Sequence, residues 1–141
     1  MKIALDHVVL EVRDVTASVN FYHTVLGFEP VRLREYLAGE APFASVRVNN
    51  ETIIDLFPKK MWRIRSRPAN PNHLCFTVEQ KPLQALKRRM KRQGVPIVRN
   101  LSKSFGAQGI GRSVYFHDPD QVMLEARYYP KAPRRAPGRP H

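Results

Sequence analysis

Two histidines and two carboxylates recur at matched places in this chain, and side chains of these types can hold a divalent cation. Leu-Asp-His-Val-Val-Leu-Glu-Val at 5–12 returns as Pro-Asn-His-Leu-Cys-Phe-Thr-Val at 71–78, so His7 and His73 occupy one place in a repeated segment. Ile53-Ile54-Asp55-Leu56-Phe57 and Met123-Leu124-Glu125-Ala126-Arg127 are a second matched pair and put one acid in each half. His7 lies 48 residues before Asp55, and His73 lies 52 before Glu125. An internal repeat of this kind marks two copies of one structural unit. Imidazole nitrogens with carboxylate oxygens suit Zn, Fe, Mn, Ni or Co and leave positions open for a substrate. An acid within an apolar strand is costly to bury unpaired, so a cation beside it is the simpler explanation.

Strands must position these groups. Period-two alternation places His7, Val9 and Glu11 on one face of a first strand, with Val8, Leu10 and Val12 on the other. Asp14 then caps a helix over 15–26, and Gly27 stops it. Further strands are expected over 28–37, 43–48 and 51–57, the last two joined through left-handed backbone at Asn49-Asn50. The order repeats with a strand over 73–78, a helix started by Pro82 and ended by Gly94, and a strand over 97–101. The Gly-rich stretch 105–111 reads as a loop too irregular to be a phosphate cradle. Strands over 113–116 and 122–128 pair around a turn at 117–121. If Ile54/Leu56 and Leu124/Ala126 cover the helices, then Asp55 and Glu125 share the histidine side. His7, His73 and Glu125 are the expected metal ligands, and Asp55, one methylene shorter than the Glu at the symmetric place, is a candidate fourth.

A chain of 141 residues supports one core, so the two copies are halves of one domain or exchange partners in a dimer. The 43% hydrophobic content is ordinary, and no apolar run reaches the roughly 20 residues of a bilayer crossing. The N-terminus runs directly into the first strand with no secretory signal, so a cytoplasmic protein is expected. Cys75 is the single cysteine, which excludes an internal disulfide and reads as a small buried thiol. The formal charge of +12 is spread over Lys87–Arg92, the connector 58–71 and a Pro-rich tail at 130–141, for which disorder is expected. No motif directs these cations to a nucleic-acid groove, so specific nucleic-acid binding is not expected, whereas an anionic small-molecule substrate fits the charge.

Leu5-Asp6-His7-Val8-Val9-Leu10, Ser18 to Tyr22, Leu26-Gly27-Phe28, Asn72-His73-Leu74 and Tyr115 to Asp120 through Leu124-Glu125 together resemble the vicinal oxygen chelate superfamily. That superfamily includes glyoxalase I, fosfomycin-resistance transferases, bleomycin-resistance proteins, methylmalonyl-CoA epimerase and extradiol dioxygenases. Through its length and residues 105–120 the chain is most similar to small glyoxalase-domain-containing proteins. The resemblance implies an α+β domain over 1–129, with two βαβββ modules (5–57 and 72–128, joined by the connector 58–71) forming a cupped, mostly antiparallel sheet around one metal in a homodimer. It implies His7, His73 and Glu125 as ligands, with Asp55 where glyoxalase I supplies Glu and fosfomycin transferases supply no ligand. Gln121 stands where the family usually has Gly. The implied chemistry is of lyase, isomerase or dioxygenase type, with Asp55 and Glu125 catalytic. Arg47, Trp62, Ser113 and Tyr115 are placed by parity or position to line the cup and touch substrate. A bleomycin-resistance-like protein, which sequesters a ligand without catalysis, is the alternative and needs no metal ligands. A basic polyanion-binding accessory protein with a vestigial cup is a third reading.

Overall fold

Each half of the repeat folds the same way. The computed structural model describes residues 1–131, so the expectation for the Pro-rich tail falls, from 132 onward, outside the described residues. The first half runs β1 (His7–Glu11), α1 (Val15–Leu26), β2 (Glu29–Val31), α2 (Leu33–Leu37), β3 (Ala44–Arg47) and β4 (Ile53–Phe57). A single 3-10 turn, Lys59–Met61, begins the connector. The second half runs β5 (His73–Thr77), α3 (Gln80–Arg92), β6 (Arg99–Gly106), β7 (Gly109–His117) and β8 (Met123–Tyr128). Two four-stranded sheets result, ordered β1-β4-β3-β2 and β5-β8-β7-β6. In each, the histidine strand is outermost and runs parallel to the acid strand, while the other pairs are antiparallel.

Local chemistry accounts for the well-anticipated elements. The Asp14 side chain accepts from the Ala17 N–H at the start of α1, and Gly27 ends that helix in the left-handed conformation. In α3, Leu83, Leu86 and Met90 form the buried stripe while the cations stay outside. Pro82 sits in its first turn, where the missing N–H costs no helical bond.

Several expectations need correction. The strand proposed over 28–37 stops at Val31, because Arg32 takes a left-handed φ of 60° and turns the chain into α2. The stretch 105–111 is mostly the tip of the β6–β7 hairpin, paired Phe105 with Ile110 and Gly106 with Gly109. The Asn49-Asn50 turn needs no left-handed asparagine; the Asn49 side chain instead accepts from the N–H groups of Glu51 and Thr52. Cys75 is exposed, because β5 is an edge strand covered on neither its free side nor its outer face.

The two halves share one core. Leu10, Val12, Val19, Tyr22, Ile54 and Leu56 of the first half join Leu83, Leu86, Met90, Val114, Phe116 and Leu124 of the second in a single buried cluster. Arg89 reaches across to the Val25 carbonyl at the end of α1. The turn after β7 ties the halves by polar contacts: the Tyr22 hydroxyl donates to Asp118 at 2.7 Å and the Arg13 N–H to Asp120 at 3.0 Å. Gln121 closes this turn at φ 65°. A non-glycine residue there carries strain of roughly 1–2 kcal/mol. Gln121→Gly is therefore expected to raise stability by about 1 kcal/mol after its entropic cost in the unfolded chain. Guanidinium unfolding curves measure this, and a lower midpoint in the variant would contradict it.

Candidate functional site

Strand parity sends the apolar residues of β4 and β8 to the helices and the acids to the opposite face. Ile54, Leu56, Leu124 and Ala126 are all in the core. Asp55 and Glu125, at 6% and 3% exposure, are buried on the other side of their sheets. Each acid meets the histidine of its own half. His7 Nε2 lies 3.9 Å from Asp55 Oδ2, and His73 Nε2 lies 3.5 Å from Glu125 Oε1. Each acid also holds a serine: Ser45 Oγ donates to Asp55 Oδ1 at 2.6 Å, and Ser113 Oγ donates to Glu125 Oε2 at 2.6 Å.

The imidazoles are oriented from behind. His7 Nδ1 lies 2.7 Å from Asp6 Oδ2 and His73 Nδ1 lies 2.8 Å from Asn72 Oδ1. Those oxygens accept only, so each Nδ1 carries a proton and Nε2, toward the acid, is the nitrogen left to engage a cation or a proton. This is the arrangement a metal-binding histidine needs, with the far nitrogen fixed by an oxygen. The donor set fits a divalent cation. The hydrogen bond from Asp6, and then the charge of Asp55, push the His7 imidazole up from its ordinary value.

Glu125 has the denser surroundings. Burial alone would push its carboxyl up, but hydrogen bonds from Ser113, Tyr115, Cys75 and Arg127 outweigh that and hold it below the ordinary value. Tyr115 faces Glu125 directly across β7 and β8, its ring 6.3 Å from that of His73. Burial, then Glu125 itself, push the Tyr115 phenol up. Partial desolvation on the side turned to Glu125, and then Glu125 itself, push the otherwise exposed Cys75 thiol up to about 12, which keeps it protonated at neutral pH.

The expected site residues therefore separate into two groups. His73, Glu125, Ser113 and Tyr115 come together in the second half, and His7 and Asp55 come together in the first. Among the described residues no three His, Cys, Asp or Glu side chains converge on one point. Arg47 lies on the Asp55 side of its strand but is exposed and donates to the Asn49 carbonyl. Trp62 donates its indole N–H to the Phe57 carbonyl. A cavity of about 330 Å³, lined by Val9, Glu11, Phe57, Met61, Arg63 and Ala69, opens on the same face as His7 and Asp55. Its wall is held by the buried Glu11 carboxylate, which accepts from the N–H groups of Arg63 and Ala69. Ser45, Asp6, Asn72, Glu11 and Arg127 were not singled out from the sequence. Parity alone places Arg127 beside Glu125, and each histidine is preceded by an acid or amide, so signals for both existed.

Two strand-helix-strand-strand-strand repeats, each with a His strand beside an acid strand, define a glyoxalase-like α+β fold. The chain belongs to the Glyoxalase/Bleomycin resistance protein/Dioxygenase superfamily, whose family model matches residues 4–126. It is similar to Glyoxylase I 4 of Arabidopsis thaliana, 30% identical over 86% of this chain and 68% of that one. It is also similar to the fosfomycin resistance protein FosX of Listeria innocua, 26% identical over 86% of each. Among solved structures, an integron cassette protein from V. cholerae superposes with a TM-score of 0.73 at 30% identity, covering 92% of this chain and 98% of that one. The virulence protein STM3117 of Salmonella typhimurium superposes equally well, at 26% identity over 92% and 99%. The chain's relatives thus include proteins named for glyoxylase activity and for fosfomycin resistance. No helix among the described residues is long and apolar enough to cross a membrane.

Proposed function

We propose that this protein is a metal-dependent enzyme of the glyoxalase/dioxygenase kind, acting on a small oxygenated substrate. The observation that carries the proposal is the matched pair of oriented histidines, each with its Nε2 aimed at a buried acid. His73 and Glu125 would hold the metal from one chain, and His7, with Asp55 beside it, from a second copy. The two pairs do not converge within one chain, and β1 and β5, which carry the histidines, are both edge strands with a free side for pairing. A homodimer of this kind supports two equivalent sites.

When bound, a divalent cation supplies Lewis-acid stabilisation of charge developing on substrate oxygens. The remaining work belongs to the side chains. Asp55 has Oδ1 fixed by Ser45 and Oδ2 free apart from His7, so Oδ2 is the atom placed to take and return a proton. Ser113 and Arg127 hold Glu125 in one rotamer. The cavity beside Val9 and Phe57 takes the apolar part of the substrate and limits its size. The excess of cations favours an anionic substrate.

Elemental analysis of the purified full chain, after equilibration with Zn, Ni, Co, Mn or Fe and dialysis, is expected to find one metal per chain. His7→Ala and His73→Ala should each lose it. Mixed after unfolding and refolding together, the two variants should regain about half of one metal per dimer, because a heterodimer contains one site with both histidines. A protein that takes up none of these metals would sink the reading. Retention with no recovery on mixing would place the site within a single chain.

A further inference from the structure

Arg127 is an arginine with almost no water around it, set two residues after Glu125 on the same strand face. Its exposure is 3%. Nε donates to Glu125 Oε2 at 3.1 Å, and one terminal nitrogen donates to the Tyr129 hydroxyl at 3.0 Å. The other terminal nitrogen donates to Ser104 Oγ at 2.6 Å and the Phe105 carbonyl at 3.1 Å, with Ser113 Oγ at 3.4 Å. Gly106 presses on the same group: a Cβ there would overlap the guanidinium and the Tyr129 hydroxyl. The cation is thus occupied on nearly every side, which leaves it no free edge for a substrate. Its charge, however, acts on the whole site.

We infer that Arg127 is a positioning residue, a buried counter-cation that occupies one oxygen of Glu125 and leaves the site's positive charge for an anionic, oxygen-donor substrate. The inference rests on the metal-holding role proposed above for His73 and Glu125. Glu125 Oε2 is taken by Ser113 and Arg127, which leaves Oε1, with Tyr115 and Cys75 beside the carboxyl, to face His73. With both imidazoles neutral and both acids ionised, a divalent cation leaves the site of two histidines and two acids neutral, and Arg127 makes it singly positive. The metal-loaded site, singly positive, attracts an anion, whereas Arg127 itself repels the metal and reduces the pull of the two carboxylates on it. Two effects of removing Arg127 therefore oppose each other. Relief of like-charge repulsion over a few ångströms strengthens metal binding by on the order of a hundredfold or more at an effective dielectric of about 20. Freeing the Glu125 rotamers weakens it by at most on the order of tenfold. The charge effect wins.

The test measures two affinities in the full chain: nickel, by competition with a chelator, and glycolate, a bidentate anion, by calorimetry on the nickel-loaded protein. Arg127→Met should bind nickel at least about tenfold more tightly and glycolate about tenfold more weakly. Gly106→Ala, which displaces the guanidinium without altering either charged residue, should move both affinities in the same directions and keeps the test open if Arg127→Met folds poorly. Arg127→Lys should stay near the parent. Structural damage lowers both affinities together, so a joint fall, or no change in either, would overturn the role of Arg127. A parent protein that binds no nickel would overturn the metal reading, and this inference with it.

Discussion

Glu125→Gln is expected to lower the unfolding free energy by about 3 kcal/mol, because it leaves Arg127 as a buried cation without a countercharge. Gln has the volume of Glu and an oxygen that can still accept from Ser113, so the loss isolates charge from packing. The double variant Glu125→Met, Arg127→Met removes both charges and should recover most of the difference, since a buried pair replaced by apolar groups of similar size is often neutral. Denaturant unfolding of the parent and the two variants measures this, and equal losses in the single and the double variant would show that packing dominates. The pH dependence gives a second check. The Glu125 carboxyl is held below its ordinary value in the fold. Its stabilising contribution is therefore complete above the ordinary carboxylate range and is lost as pH falls through the lowered value. Glu125→Gln should flatten that part of the acid limb.

The pairing of each histidine with its acid was legible because strand parity has a period of two and tolerates errors at element ends. His7 and Asp55, or His73 and Glu125, stay on one face whether β4 starts at 51 or at 53. What sequence could not supply was which strand edge is free. Cys75 lies between Leu74 and Phe76, a pattern that reads as buried, yet among the described residues only β8 pairs with β5, and His73, Cys75 and Thr77 of β5 remain exposed. The failure at 28–37 is of another kind. Leu33–Leu37 makes only five residues of helix, too few for periodicity to distinguish from strand, and the decision falls on the single backbone angle of Arg32. The separation of the four candidate ligands into two pairs depends on the halves packing through a common core, which no local pattern encodes.

The same shared core makes Asp118 the residue whose removal should cost most among the polar groups outside the site. Its carboxylate accepts from the Tyr22 hydroxyl at 2.7 Å, from the Asp120 N–H at 2.8 Å and from the Val122 N–H at 2.9 Å, all in surroundings closed to water. Asp118→Ala strands three buried donors at once, and at roughly 1–3 kcal/mol each, partly offset by entering water, the expected loss is about 4 kcal/mol. Asp118→Asn keeps an oxygen for the two backbone groups, and Tyr22→Phe strands only one oxygen. Each should cost about 1–2 kcal/mol. Urea unfolding that ranks Asp118→Ala no worse than Tyr22→Phe would mean the turn is held by its backbone bonds alone. The pH signature is opposite to that of Glu125. Burial pushes the Asp118 carboxyl up, and the hydrogen bonds from Tyr22, Val122 and Asp120 offset this only in part. The fold thus binds that proton more readily than the unfolded chain, and the group's contribution shrinks as pH rises from the ordinary carboxylate range through the raised value. Asp118→Asn should remove that decline while leaving the acid-side loss due to Glu125 in place, so one titration of stability in two variants separates the acid that joins the halves from the acid proposed to hold the metal.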